Sequence, residues 1–165
     1  MVSAFIESKR VLEGICAVAQ LPDAFLVVAG DGPMRDEAQA LADKLMPGRF
    51  LRISLAAKDM PALYQSADVF LHLSLLESFG NVFLEAWASG LPIVAHDTDR
   101  LRWILGDYGQ LCDTQSQVDL VAALNAAMSS KVADQASGIE RFAWSNIADE
   151  YRKFITGLSP RHLPV

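Results

Sequence analysis

Two glutamates, Glu77 and Glu85, bracket the most informative stretch of this sequence, Leu75 to Pro92. Glu77 precedes Ser78-Phe79-Gly80, and Asn81-Val82-Phe83-Leu84 then lead to Glu85-Ala86 and on to Gly90-Leu91-Pro92. Such a string turns a buried strand into a helix. Gly80 lets the backbone approach a ligand closely, and the N–H groups that begin the following helix point outward at the positive end of its dipole. A phosphate suits that position. Glu77 stands in the loop and Glu85 one to two turns into the helix, so the two carboxylates can address different parts of one extended ligand, such as a nucleotide carrying a sugar. On spacing alone the pair reads first as the polar loop and wet face of an amphipathic helix, and only the surrounding string favours a ligand site. Lys9 offers a cation for phosphate, although by itself it reads equally as an exposed lysine at a helix start.

The elements that must position these residues follow from hydrophobic pattern. Short apolar runs at Ala24 to Ala29, Arg49 to Ile53, Val69 to Leu73, Pro92 to Ala95 and, more weakly, Gly109 to Cys112 predict strands bounded by Gly, Pro or Asp. Helical period predicts helices at Lys9 to Gln20, Met34 to Leu45, Met60 to Ser66, Asn81 to Ser89, Ser116 to Ser129 and Ser145 to Ile155. The alternation is that of an α/β domain, a Rossmann-like doubly wound parallel sheet. Ligands of such folds sit beyond the carboxyl ends of the strands. The loops there are Gly30-Asp31-Gly32-Pro33, Ser74 to Asn81 and His96 to Arg100, with the loop before Lys9 as a fourth. A Gly-rich turn with Pro in the first helical turn is a common structural device, so Gly30 is the weaker signal. The histidines do not group in sequence; His72 ends an apolar strand, and only His96, beside Asp97, falls in a ligand-side loop.

Composition narrows the partners. A formal net charge of -6 and a pI near 4.9 argue against binding nucleic acid or anionic membrane through a broad basic surface. Any anionic ligand must be held locally. Cys16 and Cys112 lie far apart with no paired Cys/His spacing, which predicts buried free thiols of a cytoplasmic protein and no metal site. Neither a spanning apolar stretch nor a signal peptide is evident.

The run from Glu77-Ser78-Phe79-Gly80 through Leu84-Glu85-Ala86 to Gly90-Leu91-Pro92-Ile93-Val94-Ala95 resembles the E-x7-E signature of group 1 retaining glycosyltransferases, the glycogen-synthase-like kind with the GT-B fold. The resemblance continues through Leu26 to Pro33, Leu63-Tyr64, Ala67-Asp68-Val69-Phe70 and Arg141-Phe142-Ala143-Trp144. It implies a donor-binding, C-terminal half of a GT-B enzyme spanning 1–165, with 145–165 a terminal helix and tail that pack toward an N-terminal acceptor domain absent from this sequence. It implies transfer from a nucleotide diphosphate sugar, without metal or other cofactor, in polysaccharide or glycoconjugate synthesis; any membrane contact would come through the other domain. Glu77 would then hold donor-sugar hydroxyls, Glu85 the ribose, and Ser78, Phe79, Gly80, Asn81, Val82 and Gly30 the sugar and diphosphate, with Lys9 against the charge of the leaving phosphate. The family's loop also carries an arginine, five positions before the lysine. Ala4 stands there, with Ser3 at its usual glycine. Ile53 replaces the glycine of the base-binding strand, and Thr98-Asp99-Arg100 departs from a glycine pair. Arg10, Arg35, Arg100 or Arg102 could compensate for the missing guanidinium. The alternative is a non-catalytic nucleotide- or partner-binding module of the same fold, with Ala4 marking the loss.

Overall fold

The computed structural model describes residues 1–130 and 138–157. The chain divides into two compact units, Met1–Ala133 and Asp134–Val165.

The first unit is α/β with parallel pairing throughout. Strands β1 (Leu26–Ala29) and β2 (Phe50–Ile53) form one ladder, while β3 (Phe70–His72), β4 (Ile93–His96) and β5 (Gly109–Cys112) form another in that order. Strands covered on both faces should be apolar almost continuously. Accordingly β3 is buried at all three positions, and β4 at its first three. β2 belongs to an edge, with its two middle residues, Leu51 (46% exposed) and Arg52, both exposed and its ends Phe50 and Ile53 half-buried. The sequence pattern does not reveal the short extended piece before Lys9. Val2 bridges Ala29 in parallel, Ser3 N–H donates to the Ala29 carbonyl at 2.9 Å, and the Ala29 N–H donates to that of Met1 at 2.9 Å. One core joins the two ladders; Leu26 and Val28 of β1, Leu71 and Leu73 around β3, and Val94 of β4 belong to it together with Met1 and Phe5.

Helices α1 (Val11–Ala19), α2 (Arg35–Leu45), α3 (Met60–Gln65), α4 (Asn81–Ala88) and α6 (Gln117–Ser129) lie where period predicts them, with one shift. Lys9 belongs to a separate 3-10 turn, Glu7–Lys9, and not to α1, because Arg10 between them takes the left-handed conformation at φ 55°. Helix α5 (Asp99–Leu105) falls in what reads as a loop. Its signal was a cap: the Thr98 hydroxyl accepts from the Leu101 N–H at 3.2 Å, and Asp99 follows in the first turn. Cys16 and Cys112 are free thiols but only half-buried; Cys112, the last residue of β5, packs against the core without being enclosed by it. Burial still pushes the Cys112 thiol up to about 11, with Asp119, Asp113 and Asp97 adding to it.

The second unit contains a 3-10 turn, Ile139–Phe142, and α7 (Trp144–Gly157). Trp144, Tyr151, Phe154 and Ile155 are exposed on α7 at helical spacing. The predicted tail beyond residue 157 lies outside the described residues.

Close approach, not turn type alone, explains the Gly30-Asp31-Gly32 turn. A Cβ on Gly30 would stand 2.0 Å from the Ser3 carbonyl oxygen, and one on Gly32 would stand 2.6 Å from that of Phe5. The Phe5 N–H donates to the Asp31 carbonyl at 3.0 Å, so the turn is sewn to the loop that leads to Lys9. Backbone cannot yield as a flexible side chain can. Gly30→Ala should therefore destabilise the chain by about 2 kcal/mol or more, within the range of backbone-strain substitutions. Urea denaturation checks this; an unchanged midpoint would show that the two loops are not in contact.

Candidate functional site

The turn that carries Lys9 is anchored by its neighbour. Arg10 donates through Nη1 to the Thr114 hydroxyl at 3.0 Å, through Nη2 to the Thr114 carbonyl at 3.1 Å, and through Nε to Glu13 at 3.2 Å. Thr114 is fully buried, and its N–H donates to His96 Nδ1 at 3.3 Å. These bonds offset the roughly 1–2 kcal/mol that a left-handed conformation costs a non-glycine residue. They also occupy the Arg10 guanidinium and Nδ1 of His96. Asp97 is likewise engaged, accepting both Arg102 Nε at 2.7 Å and Nη2 at 2.6 Å.

So placed, Lys9 Nζ donates to Glu77 Oε1. The same oxygen lies 2.9 Å from His72 Nε2. Side-chain exposure is 24% for Lys9, 16% for Glu77 and 3% for His72, so this is a partly desolvated charge pair resting on a buried imidazole. Partial burial works against the Glu77 charge, but hydrogen bonds from Lys9 and His72 outweigh it and hold the carboxyl below the usual range. Burial pushes His72 below its ordinary value against the pull of Glu77, which keeps the ring neutral near pH 7. Donation to Glu77 then requires the Nε2–H tautomer.

Loop 73–80 leads from β3 into α4. Gly80 caps that helix at φ 76°, and a Cβ there would meet the Phe83 ring at 2.6 Å. Among the described residues α4, like α1, α2 and α3, has no side-chain cap, whereas Thr98 caps α5 and Ser116 caps α6. What distinguishes the start of α4 is that Lys9, Glu77 and Arg100 all meet the loop leading into it. Asn81 and Val82 form its first turn beside Ser78 and Phe79. Arg100 reaches this loop and donates to the Ser78 carbonyl. Glu85 is exposed on α4 and accepts at Oε2 from the buried Tyr64 hydroxyl at 2.7 Å.

A helix start without a side-chain cap, a lysine and two carboxylates thus stand along loop 73–80 and α4. The family model for glycosyl transferases group 1 matches residues 1–144. The chain belongs to the group 1 glycosyltransferases. It is 36% identical over 103 residues to the lipopolysaccharide core biosynthesis glycosyltransferase LpsE of Rhizobium meliloti, covering 62% of this chain and 30% of that protein. It is 34% identical over 145 residues to a phosphatidyl-myo-inositol mannosyltransferase of Mycolicibacterium smegmatis, covering 79% of this chain and 36% of that one. The chain thus spans about a third of the length of these curated relatives. The crystal structure of Anabaena Alr3699/HepE in complex with UDP superimposes with a TM-score of 0.81 at 23% identity, over 95% of this chain and 48% of that one. The fold is that of GT-B glycosyltransferases.

For this glycosyltransferase chain, the structure joins Lys9 to Glu77 and groups Ser78 to Val82 at the start of α4. Gly30 serves the neighbouring turn through its approach to Ser3. Sequence reasoning missed His72 and Tyr64 as partners of the glutamates. The usable signal was a histidine inside an otherwise apolar strand, where an unpaired polar group is costly.

The pH dependence has a definite sign. A carboxyl whose folded pKa is depressed stabilises the fold above its unfolded value, about 4.3 for glutamate, and that stability is lost as pH falls through the folded value. Carbon-13 NMR should show Glu77 titrating below about 4.3. Lys9→Met should raise its midpoint; a Glu77 midpoint at the ordinary value in the unmodified chain would contradict the pairing.

Proposed function

We propose that this chain is the donor-binding half of a retaining, metal-independent glycosyltransferase that moves a sugar from a nucleotide diphosphate sugar to an acceptor in polysaccharide or glycoconjugate synthesis. The observation that carries the reading is the Lys9–Glu77 pair beside the uncapped start of α4. Donor binding exchanges that pair for two better-matched contacts. Lys9 turns to the diphosphate, and Glu77 accepts from hydroxyls of the sugar. The α4 N–H groups hold the phosphate oxygens, and Glu85 accepts from the ribose. As the glycosidic bond breaks, negative charge grows on the leaving phosphate, which takes the proton of the incoming hydroxyl. Lys9 and the helix dipole stabilise that charge from fixed positions.

The acceptor belongs to a second domain, toward which the apolar stripe of α7 packs. The UDP named in the HepE structure supports a nucleoside diphosphate ligand for this fold. Ala4 is exposed, so the family's guanidinium has room there but is missing. Arg10 and Arg102 are held by Thr114 and Asp97, and Arg35 pairs with Asp36 at 3.3 Å. Arg100, on the Ser78 carbonyl, is the cation placed to take over.

The test is calorimetry and thermal shift of the 165-residue chain with UDP, GDP and ADP. At least one diphosphate should bind and raise Tm. With that diphosphate, Lys9→Ala should cost about 1.5–3 kcal/mol, the worth of a hydrogen bond to a charged group, and almost nothing for the bare nucleoside. Ala4→Arg should tighten the diphosphate. Binding of none of the three, or equal losses for nucleoside and diphosphate, would overturn the reading.

A further inference from the structure

Both glutamates rest on one buried aromatic group. Phe70 packs edge-on to Tyr64 at 5.8 Å and to Phe83 at 6.1 Å, and His72 packs edge-on to Phe83 at 4.9 Å. Tyr64 and His72 are each 3% exposed. From this cluster two polar atoms emerge: the Tyr64 hydroxyl donates to Glu85 Oε2 at 2.7 Å, and His72 Nε2 lies 2.9 Å from Glu77 Oε1. Each donor takes a single carboxylate oxygen, so the other oxygen of each glutamate is aimed without being used.

The histidine is a poor choice for the fold alone. Among the described residues nothing reaches its buried Nδ1, and its strand neighbours are Phe70, Leu71 and Leu73. In the Nε2–H tautomer the orphan is a lone pair, the less harmful arrangement, but a leucine would fill the place with no polar atom to satisfy. A side chain that costs stability where an apolar one would not is expected where it serves a ligand site.

We propose that His72 and Tyr64 are the positioning residues of the donor site, His72 aiming Glu77 at the sugar and Tyr64 aiming Glu85 at the nucleoside. This rests on the donor-binding reading above. Neither residue touches the ligand. The phenyl rings between them keep the two aims fixed relative to each other, because a shift of one ring displaces the next in a close-packed core.

Three variants of the chain decide it: His72→Leu, His72→Gln, whose amide nitrogen can replace Nε2, and Tyr64→Phe. A first measurement needs no ligand. The carbon-13 titration midpoint of Glu77 should rise in His72→Leu and return toward its original value in His72→Gln, while Tm of His72→Leu stays at or above that of the unmodified chain. A residue with only a packing role would instead lower Tm and leave Glu77 unmoved, which would overturn the proposal. The second measurement is the ratio of UDP-glucose to UDP affinity by calorimetry. His72→Leu should reduce that ratio about five- to tenfold with UDP affinity retained, and His72→Gln should restore most of it. Tyr64→Phe should weaken UDP by a similar factor and leave the ratio alone. Unchanged ratios and affinities, or exchanged effects, would overturn it. If the unmodified chain binds neither ligand, the same ratio is read with whichever of GDP and ADP raises Tm and its glucose conjugate; if none of the three diphosphates binds, the donor reading fails, and the Glu77 titration still judges the positioning role.

Discussion

The ion pair between Lys9 and Glu77 is the interaction on which the rest of the site depends, and its strength sets what the site can do. With a quarter or less of either side chain exposed, it lies between a surface pair, worth about 0–1 kcal/mol, and a buried one, whose desolvation rivals its attraction. A pair of that modest net worth can be opened. On the proposed reading, a phosphate and a sugar hydroxyl offer the same two charges partners of comparable or better quality, so the pair holds both groups in place without trapping them. The partners are brought from distant parts of the chain. Lys9 comes from the first loop, fixed by the Arg10 bonds to Thr114 and by the Gly30 turn against Ser3. Glu77 comes from the β3–α4 loop, fixed by His72.

Charge distribution follows the same logic. The chain is acidic overall, so it has no broad field with which to attract a diphosphate. What it has is local: Lys9, the start of α4, and Arg100 at the adjoining loop. The neighbouring helices α5 and α6 satisfy their first turns with Thr98 and Ser116. With Gly80 as its cap, α4 loses only about a few tenths of a kcal/mol relative to a capping side chain, and its first N–H groups stay open to an anionic ligand. The family's second cation is missing at Ala4, and the arginines best placed in sequence, Arg10 and Arg102, are used for structure instead.

Much of this was legible in the sequence because the signals were periodic or local. The apolar runs gave all five strands to within a few residues, and the string around Glu77 and Glu85 gave the loop and helix of the site. Four things were hidden, each for a physical reason. The left-handed Arg10 has no local signature, since its strain is offset by Thr114, 104 positions away. Helix α5 is short enough that its cap, not its period, announces it. His72 and Tyr64 lie in apolar contexts where a ring reads as packing, and only the folded arrangement shows that their polar atoms meet the two carboxylates. The pairing of Lys9 with Glu77 is invisible for a similar reason, since sequence places both at the ligand but not at each other.

If the pair is the resting form of a donor site, removing the charge of Glu77 should have opposite effects on two related ligands. Glu77→Gln frees Lys9 for phosphate but weakens the grip on the sugar, so calorimetry with whichever of UDP, GDP and ADP the chain binds should show that diphosphate tighter, and its glucose conjugate weaker, than in the unmodified protein. Weakening of both ligands by the same factor, or no change in either, would contradict the account.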